Sequence, residues 1–257
     1  MSLYRQPGML MYWTHTPPAP WQTETWLEQM RQQLRPSAFL RIIENRFVSG
    51  ESNFIDIEWW DQRCVNPALS PVLLDQRRRL PLWIGCDASV KKDSTAVVAC
   101  TFDDKTQKVR LVWHRTFQPS PNDPLNFEET VERTLIEMKE RFPVIHEVRY
   151  DPWQMISSAQ RLTKTGLPML EFPQTVPNLT EASQNLYDLI KGGNLMVYPD
   201  PDIRLAISRA VAKETSRGWK IGKEKQTYKI DLVVALGQAS LGAVRGAVNI
   251  NEMGGIY

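Results

Sequence analysis

The sequence predicts an α/β fold, a mixed β-sheet flanked by helices on both faces. Three observations predict it. Residues 82–86, 94–102 and 109–117 (LWIGC, STAVVACTF and VRLVWHRTF) are successive β-branched and aromatic runs joined by short polar connections. Beyond them, helix-period and strand-type segments alternate, the pattern of a sheet covered on both sides. The 257 residues, 42% of them apolar, suffice for one full-sized core with peripheral elements.

The elements follow in chain order. Residues 1–79 read as an N-terminal arm: a proline-rich stretch at 13–20 that joins neither helix nor central strand, then helices over 23–34 and 36–47 and a short one over 57–64. Trp26, Leu27, Met30 and Leu34 share one helical face, and Phe39, Ile42, Ile43 and Phe47 another. Trp13, Trp21, Trp26, Trp59 and Trp60 read either as anchors of the arm on its own domain or as a docking surface. Arg77, Arg78 and Arg79 stand just before the first core strand, as a linker end or a phosphate contact.

A domain is expected over 80–247 and a tail over 248–257. Asp103, Asp104 and Lys105 turn the second core strand back onto the third. Asn126 with Glu129 forms a capping box, and Phe127, Val131, Leu135 and Met138 form the stripe of the helix it opens. Strand 144–150, helix 154–163 and strand 168–172 come next. A helix from Thr180 to Lys191 ends at Gly192 and Gly193, and 194–198 is extended. Asp200 and Pro201 cap a helix to about Thr215. A basic two-stranded turn over 219–229 then leads into an apolar helix from Asp231 to about Arg245.

Bulk charge excludes little: 31 Lys and Arg stand against 29 Asp and Glu, a formal +2. Cys64, Cys86 and Cys100 have neither zinc-ligand nor disulfide spacing, which fits a reducing compartment. The start lacks a signal-peptide pattern and no run reaches the roughly 18 apolar residues of a membrane span, so an intracellular, soluble chain is expected.

The chemistry concentrates in aspartates. Asp87 follows the apolar strand LWIGC, Asp151 follows VIHEVRY, and Asp231 begins an apolar helix. Taken singly, each is also an ordinary cap or turn residue. As a set at strand mouths and a helix start, they would repel one another unless shared cations hold them. Mg²⁺ or Mn²⁺ takes such oxygen ligands, and two ions about 3.5–4 Å apart serve phosphodiester hydrolysis. Asp93 is either a fourth carboxylate there or the turn residue of KKDS; Ser94 and Thr95 read as turn residues.

Eight basic residues lie between Arg204 and Lys229, against Glu214 and Glu224, and lead directly to Asp231. From these, Lys213, Arg217, Lys220, Lys223, Lys225 and Lys229 are the candidate DNA contacts, with a solvated lysine-rich hairpin as the alternative. Trp219 and Tyr228 read as sheet-packing residues before base-stacking ones. No GxxxxGK[ST] loop is present, so no ATP site of that kind is expected. His15, His114 and His146 lack metal-site spacing, which argues against a zinc hydrolase. His114 lies inside a strand as a packed or surface residue rather than a general base.

The segments WIGCDASVKKDSTAVVAC, VRYDPWQM and YKIDLVVALGQASLGAV resemble the nuclease domain of the large terminase subunit of tailed double-stranded DNA phages, over residues 80–247. Weaker similarity before residue 80 is to the segment leaving the ATPase domain. The resemblance implies a ribonuclease H-like fold. It also implies a metal-dependent endonuclease cutting viral DNA during genome packaging, with Asp87, Asp151 and Asp231 as ligands of a two-metal Mg²⁺ or Mn²⁺ site and Asp93 as an accessory. The implied partners are double-stranded DNA and, in the host cytoplasm, the terminase ATPase domain, the small terminase subunit and the portal, with no membrane. The family's ATPase motor is absent from this sequence, as in an excised fragment or a separately encoded relative. A Holliday-junction resolvase, a transposase-like nuclease, a ribonuclease acting on RNA–DNA hybrids and a non-catalytic DNA-binding or assembly module remain as alternatives on the same fold.

Overall fold

The computed structural model describes residues 2–16, 19–47, 51–72, 79–89, 94–119, 125–216 and 218–254. Two compact units divide the chain, Met1–Ser52 and Asn53–Tyr257.

In the first unit, β1 (Ser2–Gln6) and β2 (Met9–Trp13) form an antiparallel hairpin. Its turn is Pro7–Gly8, where Gly8 takes φ +76°, a conformation that costs glycine little. The sequence reading missed this hairpin. Helix α1 (Glu24–Gln33) is capped by the Thr23 hydroxyl, which accepts from the Trp26 N–H, and α2 (Pro36–Ile42) opens on Pro36. The second helix ends five residues before the predicted 47; Asn45, with φ +51°, lies in the left-handed region that helix interiors do not use. Trp13 is an anchor inside this unit, donating to the Asn45 carbonyl at 3.1 Å and packing on Phe47. β3 (Glu51–Asn53) spans the boundary between the units.

The second unit begins with buried material. Phe54 is fully buried and its N–H donates to the Ala210 carbonyl. Helix α3 (Ile57–Trp59) runs into a π-helical turn, Trp60–Cys64, whose Trp60 and Cys64 are buried. Arg77 and Arg78 lie outside the described residues, and Arg79 is exposed.

The sheet contains β4 (Leu82–Asp87), β5 (Thr95–Asp103), β6 (Lys108–Phe117), β7 (Ile145–Tyr150), β8 (Met169–Glu171) and β9 (Leu195–Met196), in the order β8-β7-β4-β5-β6-β9. β4, β5 and β6 form the predicted antiparallel meander; β4, β7 and β8 are parallel, and β9 is parallel to β6. Strand alternation splits the core in two. Leu82, Ile84, Cys86, Val97 and Ala99 face one cluster with Leu135, Met138, Met155 and Leu162. Trp83, Ala96, Val98 and Cys100 face the other, with Leu186, Ile207, Val233 and Ala239. Helices therefore cover both faces, as the fold class requires.

On the first face lie a π-helical turn, Glu128–Glu132, continuing into α4 (Arg133–Arg141), and α5 (Pro152–Lys164). On the second lie α6 (Val176–Lys191), α7 (Pro201–Arg209) and α8 (Asp231–Gly254). The Asp200 carboxylate accepts from the Asp202 and Ile203 N–H groups, the predicted cap. The helix it opens stops at Arg209, however. Residues expected to continue it form β10 (Ala210–Thr215), paired antiparallel with β11 (Gly218–Lys223), so the basic hairpin starts nine residues before the predicted 219.

By length and composition Asp231–Val248 is apolar enough to cross a membrane, contrary to the sequence expectation. Here 67% of it is buried within the protein, as the central helix of the second face. It approaches β4 closely at Gly85: a Cβ there would meet the Ala235 carbonyl oxygen and lie 2.9 Å from the Ala239 nitrogen. All three cysteines are free and buried. Burial pushes the Cys64 and Cys86 thiols up to about 12 and raises that of Cys100, so they serve as packing groups.

Candidate functional site at the sheet end

Strand register and one hydrogen bond bring the three aspartates to the same end of the sheet. Cys86 and Tyr150 are paired on the neighbouring parallel strands β4 and β7, so Asp87 and Asp151, the next residues, leave the sheet side by side. β5 runs back toward that end: Asp87 is paired with Ala96, and Ser94 stands just before β5 begins. The Ser94 hydroxyl donates to the Asp231 carboxylate, bringing the start of α8 to the same end. Asp87 and Asp231 are each only 9% exposed.

Each carboxylate is engaged by a protein donor. Gln174, in the connection from β8 to α6, donates its amide N–H to Asp87 Oδ1 at 2.9 Å. Asp151 caps α5, accepting from the Trp153 N–H at 3.3 Å. Ser94 serves Asp231, whereas Thr95 alone does the turn work expected of both: its hydroxyl accepts from the Ser89 N–H and donates to the Ser89 carbonyl, both at 2.9 Å. Asp93 lies outside the described residues.

Among the described residues no three His, Cys, Asp or Glu side chains are gathered tightly enough to hold a metal ion. The donor chemistry at the sheet end nevertheless fits a hard divalent cation: three carboxylates with a hydroxyl and an amide oxygen beside them.

The basic residues distribute unevenly. Lys213 and Lys220 are directly cross-strand in the β10–β11 hairpin, and Lys223 ends β11. Like charges so placed destabilise a bare hairpin. Lys225 is exposed in the following turn, and Arg217 lies outside the described residues. Lys229 lines a cleft of about 140 Å³ together with Asp231, Arg209 and Asp202. Arg204, by contrast, is engaged by Asp61 through two hydrogen bonds of 2.7 and 2.8 Å. Trp219 packs on Phe54 and Tyr187 and donates to Gln184 at 3.0 Å, a structural use as expected. Tyr228 carries Arg209 and Lys225 on its ring, at 5.0 and 5.6 Å.

His114 is a packed residue. Its Nδ1 lies 2.6 Å from the Tyr198 hydroxyl, and burial holds its pKa below the ordinary 6.5 despite Asp200 nearby. The sequence reading did not single out Gln174, which donates to Asp87, or Arg209, which lines the cleft with Asp231. The available signal was positional: the loop at the carboxyl end of a parallel strand is where open α/β sheets bind ligands.

Residues 128–246, which include Asp151 and Asp231, match the family model described as the terminase large subunit, endonuclease domain. No curated protein matches the chain. Among solved structures, the HK97 bacteriophage large terminase is 19% identical with a TM-score of 0.63, covering 86% of this chain and 51% of its own. The magnesium-bound large terminase nuclease of the thermophilic phage G20c is 18% identical, with a TM-score of 0.56, over 72% of this chain and 95% of its own. This chain thus spans about half the length of the HK97 large terminase. Two of the three motifs that carried the resemblance, those holding Asp151 and Asp231, thus fall inside a match to the terminase large subunit endonuclease-domain family over residues 128–246, while the Asp87 motif lies before it; the fold is the one shared by phage large-terminase nucleases.

Proposed function

We propose that this chain is a divalent-metal-dependent endonuclease that cuts double-stranded viral DNA during genome packaging. The observation that carries the reading is the convergence of Asp87, Asp151 and Asp231 at one end of the sheet, on two neighbouring parallel strands and one buried helix start. Nothing smaller than the whole fold assembles these three residues, which are 64 and 80 positions apart in the chain. The magnesium of the G20c nuclease supports the choice of cation.

In this reading Asp87, Asp151 and Asp231 hold two Mg²⁺ or Mn²⁺ ions, with Asp93 as an accessory ligand. When bound, such ions supply Lewis-acid activation of water and charge stabilisation at phosphorus. The chain's own residues do the rest. Gln174 and Ser94 orient the Asp87 and Asp231 carboxylates, and the α5 N-terminus fixes Asp151. Lys213, Arg217, Lys220, Lys223, Lys225 and Lys229 hold the DNA backbone through charge, without reading sequence. The packaging context brings the ATPase portion of a large terminase, a small terminase subunit and the portal as partners, in the host cytoplasm.

Asp231→Asn tests the assignment. It preserves side-chain shape and removes the charge, so DNA cleavage should fall by at least about 100-fold while duplex affinity stays within a few-fold of the parent. Cleavage at the parental rate would remove Asp231 from the mechanism.

A further inference from the structure

We infer that the cleft beside Asp231 is a phosphate subsite, in which Arg209 and Lys229 hold the DNA-strand phosphate neighbouring the one that is cut. This rests on the nuclease reading above and locates the substrate strand within it. Arg209 sits at the end of α7, and Lys229 two residues before Asp231; both line the cleft that Asp231 itself walls. Its volume, about 140 Å³, is several times the roughly 30 Å³ that one water occupies, enough for a phosphodiester group.

The cleft chemistry suits an anion. Arg209 presents a planar fork of N–H donors matched to phosphate oxygens, and its guanidinium lies 5.0 Å from the centre of the Tyr228 ring. The ring face attracts the cation and narrows its freedom, so less order is lost when phosphate binds. Thr116 and Gln118 add hydroxyl and amide donors to the lining. Two carboxylates also face the cleft, Asp202 and Asp231. With Asp231 committed to a divalent cation, Arg209 and Lys229 outweigh Asp202, which itself sits in the positive first turn of α7.

Not every nearby cation belongs to this subsite. Arg204, on the same helix, has its guanidinium bound to Asp61 and is absent from the cleft. That contrast supplies the test: affinity for a labelled duplex of about 20 base pairs, measured by fluorescence anisotropy with Ca²⁺ across a series of KCl concentrations. A phosphate contact contributes about 0.9 to the slope of log K against log salt. Arg209→Ala should lower that slope by about 0.9 and weaken binding at low salt several-fold. Arg204→Ala should leave the slope at the parental value. Tyr228→Phe should behave as the parent and Tyr228→Ala should move toward Arg209→Ala, since the ring and not the hydroxyl orients the guanidinium. Arg209→Lys keeps the charge and provides a second variant should the alanine change fail to fold; it should keep the slope while raising the KM for cleavage. An Arg209→Ala slope equal to the parent's, or an equal drop in Arg204→Ala, overturns the subsite. A parent protein that neither binds nor cuts the duplex overturns the nuclease reading itself.

Discussion

A buried ionisable side chain reports on its surroundings through the pH at which stability changes. His114 is held mostly away from water against Tyr198, and burial keeps its folded pKa below 6.5. The unfolded chain therefore takes up the proton first as pH falls, and the folded state loses stability from about pH 6.5 down to the folded pKa. Asp61 acts in a separate window: its hydrogen bond to Arg204 lowers its pKa from 3.8, so its contribution is present above that pH and lost below it. His114→Asn should flatten the fall of Tm that sets in below about pH 6.5 and leave the acid limb below about pH 4 unchanged. An unaltered fall in that upper window would place its origin elsewhere. At the same scale, Asp87, Asp151 and Asp231 could be proposed from the sequence because each stands directly against a recognisable apolar element. The sequence could not identify Gln174 or separate Arg209 from seven other cations: the first meets Asp87 across 87 positions, and the second is distinguished only by Tyr228 beneath it.

The site depends on how tightly α8 lies against β4 as elements. Gly85 makes that approach feasible, and an added methyl would collide with the α8 backbone at Ala235 and Ala239. Gly85→Ala should therefore destabilise the protein by about 1–3 kcal/mol or more and displace Asp231 from Asp87, lowering cleavage further than a loss of folded protein explains. Thermal melting with cleavage per folded molecule checks this; a melt and a rate matching the parent would show that the helix shifts at no cost. Strands β4, β5, β6 and β7 and helices α5, α6 and α8 were legible because their apolar periodicity agrees with their final burial, although α6 starts at Val176 on a Thr175 cap, before the expected Thr180, and α8 runs on to Gly254 past the expected Arg245. The boundary between α7 and β10 was not legible. AVAKET continues the helical spacing of the preceding residues, and only tertiary partners make it a strand: β11 alongside it, with the Ile221 N–H donating to the Ser183 hydroxyl at 2.8 Å on α6. The β1–β2 hairpin was missed for another reason. Its Pro-Gly turn is a recognisable signal, but Leu3, Tyr4, Leu10 and Tyr12 are all exposed, leaving no alternation to detect.

For the whole molecule, one mixed sheet with two cores performs two tasks. The face bearing α4 and α5 supports the ends of β4 and β7, where Asp87 and Asp151 emerge, and the opposite face seats α8, which delivers Asp231. The chain entering this unit is part of its core, since Phe54 and Trp60 are almost fully buried there, and the compact units divide between Ser52 and Asn53. Formal net charge of +2 conceals the local arrangement, in which Arg209 and Lys229 line the same cleft as Asp231. The most direct measurement is cleavage of supercoiled plasmid by the purified chain with Mg²⁺, Mn²⁺ or EDTA, alongside Asp151→Ala. A metal-assisted nuclease predicts conversion to linear and smaller DNA with either cation, none in EDTA, and none with the variant. Cleavage that persists in EDTA, or in Asp151→Ala at the parental rate, would contradict the account.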